Sequence, residues 1–253
     1  MDSVEMRRNQ IVELVNRKES IRFLQIKEYF PNVSEMTLRT DLKALDEEKK
    51  IVRIHGGAKS VQLVIGTDDY LNRRAVRNLP EKEEIAKKAT KLVRPDTAIF
   101  LDSGSTTTAL AHLFPDQSNL IYTTGLSCAT ELADLSRPVV QIPGGKLNRY
   151  SISVYGASVV QELSQVNFHQ TFLGVTNYMF QTGFTCGNSE EAILKRMAIR
   201  QAEQVIVLMD SQKIGIKGTY SICQLKDIDI LVSDGHLPED FRMECENQNV
   251  KVL

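Results

Sequence analysis

Residues 98–107 read A-I-F-L-D-S-G-S-T-T, and the order of side chains in this stretch sets the class of fold. Four apolar residues with no polar alternation suit a strand buried on both faces. Asp102, Ser103 and Gly104 interrupt the run, after which Ala109, Leu110 and Leu113 recur at helical spacing. A loop of glycine and hydroxyls between a buried strand and a helix N-terminus has two readings. It is an ordinary capped turn, because Ser and Thr are good caps, or an anion site, where backbone N–H groups, hydroxyls and the helix dipole converge on a phosphate. The loop alone supports both equally.

Downstream the same alternation repeats. Strands are expected at 120–122, 139–142, 171–175, 205–209 and 228–232, with a helix after the first of them, running to about Leu135. Upstream, a helix from Glu81 places Ile85, Ala89, Leu92 and Val93 on one face. Strands that alternate with helices give a largely parallel, Rossmann-like sheet. Residues 81–253 form this α/β domain, and 61–80, with Arg73, Arg74 and Arg77, read as a connector.

Residues 1–60 read differently: short helices and then a hairpin. Ile11, Leu14 and Val15 recur at helical spacing, and a second segment, 24–29, is stopped by Pro31 and Asn32. Ser34 is placed to cap a third helix, with Glu35 in its first turn. On that helix Leu38, Leu42 and Leu45 form one stripe. Met36, Thr40, Lys43 and Glu47 lie opposite, with Thr37 and Arg39 on the flanks. Ile51–Ile54 alternates, His55-Gly56-Gly57 supplies a turn and Lys59 begins a return strand, which makes a wing behind a recognition helix. Taken alone, such a helix pattern is more often a solvated amphipathic surface than a DNA reader.

Composition narrows the classes. The net charge is -1, and hydrophobic residues at 42% can fill a core. Residues 1–60 carry 12 Lys and Arg against 10 Asp and Glu, a weak basic bias that does not by itself indicate nucleic acid. Cys128, Cys186, Cys223 and Cys245 stand far apart, so neither a metal site nor a disulfide framework is expected. No cofactor is implied. No apolar run approaches the ~18 residues of a membrane span, and a cytoplasmic protein is expected.

The string V-S-E-M-T-L-R-T-D-L at 33–42, followed by I-V-R-I-H-G-G-A at 51–58, resembles the helix-turn-helix and wing of the DeoR family. That resemblance implies a DNA face made by Ser34, Glu35, Met36, Thr37, Arg39, Thr40 and Lys43, with Arg53, His55 and Lys59 in the wing. Two residues depart from the pattern: Thr40 stands where the family more often has a second basic residue, and Lys49 where it often has Gly. The D-S-G-S-T loop likewise resembles the phosphate loop of DeoR effector domains, whose fold is related to ribose-5-phosphate isomerase. Carried onto this chain, the resemblance points to Asp102, Ser103, Gly104, Ser105, Thr106, Thr107, Thr124, Gly125, Gly144, Gly145, Glu191, Lys195 and Lys213 as ligand-binding residues. Lys213 is the natural cationic partner of a phosphate, while Asp102 and Glu191 could accept from sugar hydroxyls. An i,i+4 salt bridge between Glu191 and Lys195 is an equally good account of Glu191. Asn177 stands where the family often has Gly, and a left-handed turn is expected there; Gln212 replaces a usual Ser or His.

The function implied is a DNA-binding regulator, a repressor of a sugar uptake or catabolism operon that a phosphorylated sugar releases from its operator. It is expected to be a homodimer or higher homo-oligomer and not an enzyme. The alternative is a sugar-phosphate isomerase with an accessory DNA-binding module, because fold does not decide function.

Overall fold

The computed structural model describes residues 3–18, 20–48, 50–60 and 70–253, and the chain divides into two compact units, 1–67 and 68–253.

In the first unit the elements are α1 (Ser3–Lys18), β1 (Ser20–Arg22), α2 (Phe23–Tyr29), α3 (Glu35–Glu47), β2 (Ile51–Ile54) and β3 (Gly57–Ser60). The strands form an antiparallel sheet in the order β1-β3-β2. The stripe Leu38, Leu42 and Leu45 is buried against Ile11, Leu14 and Val15 of α1 and Ile26 of α2. Asp41 is buried on the same helix and ion-paired to Arg7 at 2.6 Å and Arg8 at 3.0 Å, which fixes α1 against α3. β1 is too short for any periodicity to announce it. Its place explains Gly57: an added Cβ would lie 2.1 Å from the Ile21 carbonyl oxygen, so only glycine admits the β1–β3 pairing.

The second unit runs α4 (Leu71–Val76), α5 (Leu79–Thr90), β4 (Ala98–Leu101), α6 (Ser105–His112), β5 (Leu120–Thr123), α7 (Leu126–Leu132) and β6 (Val139–Gln141). It continues with β7 (Lys146–Asn148), β8 (Ser153–Tyr155), α8 (Ala157–Leu163), β9 (Gln170–Gly174), β10 (Asn177–Met179), β11 (Gly183–Cys186) and α9 (Ser189–Arg200). It ends with β12 (Val205–Leu208), a 3-10 turn (Ser211–Lys213), β13 (Tyr220–Cys223), β14 (Ile230–Val232), α10 (Glu239–Asn247) and β15 (Lys251–Val252). Seven strands form a parallel sheet in the order β15-β14-β12-β9-β4-β5-β6. Each central strand feeds two cores, as a strand buried on both faces must. Phe100 packs with Phe168, Leu173 and Val207 on one face, and Ile99 and Leu101 pack with Leu110, Ile121 and Phe172 on the other.

Two short sheets lie outside this layer: the hairpin β7–β8 and the antiparallel β10-β11-β13. The stretch read as a connector also carries structure, since residues 71–76 are helical and α5 starts at Leu79 with Pro80 in its first turn. Between those helices Asn78 takes a left-handed conformation, φ 51°. Among the described residues no helix is long and apolar enough to cross a membrane.

From β4 the chain winds through β5 to β6 on one side, and from β9 through β12, β14 and β15 on the other. The strand order therefore reverses between β4 and β9. In open α/β sheets such a switch point opens a crevice at the carboxyl ends of the strands, where ligands bind. Here those ends are Asp102 after β4 and Gly174 in β9.

Candidate functional site

The loop after β4 turns at Gly104, whose φ of 135° is costly for any residue with a Cβ. Gly104 brings no side-chain cap to α6, so the first-turn N–H groups are left for another acceptor. The Thr107 and Thr108 hydroxyls donate back to the Gly104 carbonyl at 2.9 and 2.7 Å. These bonds hold the loop's shape and commit the Thr107 hydroxyl proton to the Gly104 carbonyl. The hydroxyls of Ser103, Ser105 and Thr106 have no hydrogen-bond partner among the described residues. Asp102 Oδ1 and Thr124 Oγ1 are buried and also lack one. Native proteins rarely bury polar atoms unpaired, and such groups mark a bound molecule or water. Gly125 packs where a Cβ would be 3.0 Å from Ser103 Cα, so the loops after β4 and β5 touch.

Asp102, Lys195 and Gly174 meet at the switch point. Asp102 Oδ2 accepts from the Gly174 amide at 3.0 Å and from the Lys195 ammonium, which also donates to the Gly174 carbonyl at 2.9 Å. Asp102 and Lys195 are buried, Asp102 fully, and Gly174 is half-buried. Burial pushes the Asp102 carboxyl above its ordinary range, with Lys195 pulling against it. For Lys195 burial acts downward, but the carboxylates of Asp102 and Glu191 more than reverse it, so the ammonium stays charged. The expected Glu191–Lys195 salt bridge is not made, because Asp102 takes the lysine. Glu191 instead accepts from Asn148 Nδ2 at 3.0 Å, Ser151 Oγ at 2.6 Å and Ser153 Oγ at 3.4 Å. Sequence reading missed those three residues, which come from the β7–β8 hairpin it did not foresee.

Lys213 is held beside the crevice, donating to the Val175 carbonyl at 3.0 Å and paired with Asp210 at 3.3 Å. Its neighbour Lys82 escaped the sequence reading: it is buried and donates to the carbonyls of Arg74 and Arg77. Burial, then the nearby Lys213, lower its pKa to about 7. Gly144 and Gly145 serve the β8–α8 corner: a Cβ on Gly145 would meet Val159 Cγ2 at 2.5 Å, and the Gly144 carbonyl accepts from Ser158. Asn177 does not make the left-handed turn expected of it; it opens β10 opposite Thr185.

On the first unit, the Ser34 hydroxyl accepts from the Thr37 amide at 3.1 Å, the cap the sequence called for. The outer face of α3 is exposed and its groups pair along the helix: Arg39 with Glu35 at 3.7 Å, Lys43 with Glu47 at 3.8 Å, and Thr40 with the Met36 carbonyl at 2.9 Å. Arg39 also lies over the Phe23 ring at 4.2 Å. Met36 is 75% exposed, an apolar side chain with no core to join. Asp46 accepts from the Arg53 amide at 2.8 Å and ties the wing to α3, leaving His55 exposed at the hairpin tip.

The DeoR-like helix-turn-helix domain matches residues 7–63, and the DeoR C terminal sensor domain matches 77–235, more than half of the chain. The chain belongs to the DeoR family. Among relatives, the HTH-type transcriptional regulator YulB of Bacillus subtilis is 32% identical over 97% of this chain and 95% of its own length. The HTH-type transcriptional repressor GlcR of the same organism is 31% identical over 86% of this chain and 83% of its own. Ribose 5-phosphate isomerase A from Methanocaldococcus jannaschii shares 18% identity, with a TM-score of 0.40 over 55% of this chain and 56% of its own, too distant to argue from. In DeoR terms the two units are a DNA reader and a sensor, and this chain is a transcriptional regulator.

Proposed function

We propose that the regulator represses a sugar uptake or catabolism operon and leaves its operator when a phosphorylated sugar binds the loop after β4. The observation that carries the reading is the set of unpartnered polar groups around the uncapped start of α6, namely the hydroxyls of Ser103, Ser105, Thr106 and Thr124. A phosphate carries about -1.5 to -2 charge and is satisfied by such donors and by a helix N-terminus. Lys213 supplies a cation once it exchanges Asp210 for the ligand. The outer face of α3, with Ser34, Glu35, Met36, Thr37, Arg39, Thr40 and Lys43, enters the major groove, flanked by Arg53, His55 and Lys59 of the wing. Such readers work as dimers on paired half-sites, so a homodimer or higher homo-oligomer acts in the cytoplasm. The isomerase reading is weaker. Asp102 and Lys195 neutralise each other and Glu191 is held by three donors, so none is poised as a free base.

A thermal-shift screen against a panel of sugar phosphates tests the reading, since a binder at 100 times its Kd stabilises by about 2.7 kcal/mol. Replacing Ser105 and Thr106 together with Ala removes that shift and leaves operator binding intact. A double variant that still responds at the parent's effector concentration places the phosphate elsewhere. Isomerase turnover abolished by Asp102→Asn would restore the enzyme reading.

A further inference from the structure

Asn177 is fully buried, and both its Nδ2 and its Oδ1 lack a hydrogen-bond partner. Among the described residues no other side chain has two such atoms, and an unpaired buried amide is destabilising unless something else satisfies it. Strand alternation says where the amide lies. Tyr178 turns into the core, against Phe184 and Phe241, so Asn177 faces the other way, on the side of its cross-strand partner Thr185. Thr185 Oγ1 donates to the Asn177 carbonyl at 3.1 Å. Over this face runs the segment after Lys213. A Cβ on Gly218 would be 2.0 Å from Thr185 Oγ1, and the Gly215 amide donates to the Tyr178 carbonyl at 2.9 Å. Asn177 stands three residues after Gly174, at the end of β9 where Gly174 and Val175 receive Lys195 and Lys213, and the segment that leaves Lys213 packs on its strand partner Thr185.

We propose that Asn177 is a specificity-determining residue of the sensor, reading hydroxyl groups at the sugar end of the ligand through a paired donor and acceptor. The inference rests on the sugar-phosphate reading above. A site built to hydrogen-bond a hydroxyl discriminates strongly against analogues that cannot supply it, because its own polar atoms are then left unpaired. The amide is fully buried beside Thr185, on which Gly218 packs, so ligand access requires the 214–219 segment to shift.

The test compares the full-length chain with Asn177→Gly and Asn177→Ser by calorimetric titration. The probes are inorganic phosphate and a set of pentose and hexose phosphates differing in hydroxyl stereochemistry. For the parent, at least one sugar phosphate binds more tightly than inorganic phosphate. In Asn177→Gly that preference drops about tenfold or more and the ranking of stereoisomers flattens, while the inorganic phosphate Kd stays within about twofold. Asn177→Ser, which keeps one polar atom, falls between. The unchanged phosphate Kd serves as the control for folding. A parent ranking preserved in Asn177→Gly overturns the role of Asn177 and leaves the phosphate loop standing. A parent that binds neither phosphate nor any sugar phosphate overturns the loop reading, and this inference with it.

Discussion

The outer face of α3 and the crevice at the ends of β4, β5 and β9 are both polar, yet they handle polarity in opposite ways. On α3 the groups are exposed and each finds a neighbour one turn away, as in the Arg39–Glu35 and Lys43–Glu47 pairs. Such exposed pairs are worth about 0.3–0.5 kcal/mol and exchange readily for other partners. In the crevice Asp102, Ser103, Thr106 and Thr124 are buried, and Asp102 Oδ1 and the Thr124 hydroxyl have no partner. A surface that loses little by letting go suits a reader that binds and leaves DNA, while a buried set with unused capacity suits a sensor that waits for one class of molecule.

The largest effect that would sharpen this contrast lies in the buried pair. Lys195→Met strands the Asp102 carboxylate inside the protein and is expected to destabilise by about 3–5 kcal/mol in urea denaturation; a loss under 1 kcal/mol would mean that the pair is solvated. Next comes Lys82, whose folded pKa of about 7 lies below its ordinary value. The unfolded chain then binds more protons, so stability rises with pH from about 7 toward 10, and burial of the charged form weighs fully below that window. Lys82→Met is expected to flatten that rise, and an unchanged slope would assign it to other groups.

Smaller effects belong to the exposed face. Arg39→Ala is expected to weaken operator binding by about 1–3 kcal/mol if the guanidinium meets a base edge. Its effect on folding should stay within ~1 kcal/mol, the scale of its contact with Phe23. Gel-shift titration at two salt concentrations measures the first, and equal affinities for parent and variant remove Arg39 from the interface. Lys43→Ala is the mildest change: its signature is a salt slope shallower by about one, with thermal stability essentially kept.

The alternation of apolar runs and helical spacing made the parallel sheet legible, because β4 and β12 are apolar throughout and β9 is buried around Phe172 and Leu173. The α3 stripe was legible for the same reason of period. What sequence could not show was pairing at a distance. Lys195 lies four residues from Glu191 but pairs with Asp102, ninety-three positions away, because the fold, not the helix, brings the better partner. Asn177 was read as a turn residue on its conformational tolerance, whereas the pairing of β10 with β11 makes it a strand residue. Lys82 gave no signal at all: in sequence it is one charge in a lysine-rich helix, and only the carbonyls of Arg74 and Arg77 above it reveal that it is buried. The β7–β8 hairpin is too short to carry a period, so the donors around Glu191 went unseen.

The reversal of strand order has a mechanical side. The half-sheet β4-β5-β6 is joined to β9-β12-β14-β15 along a single seam, paired from Ile99 and Gln170 to Leu101 and Phe172. Above it, the Asp102 amide donates to the Phe172 carbonyl at 3.0 Å and the Gly174 amide to the Asp102 carboxylate at 3.0 Å. A molecule that touches the Ser103–Thr106 loop on one side and Lys213 on the other works as a rivet across that seam. It makes any opening of one half against the other dearer by its own binding free energy. The amides of Asp102 and Gly174 would then be among the slowest to exchange with solvent in the bound protein, recording the ligand as stiffness at the joint rather than as a change of shape.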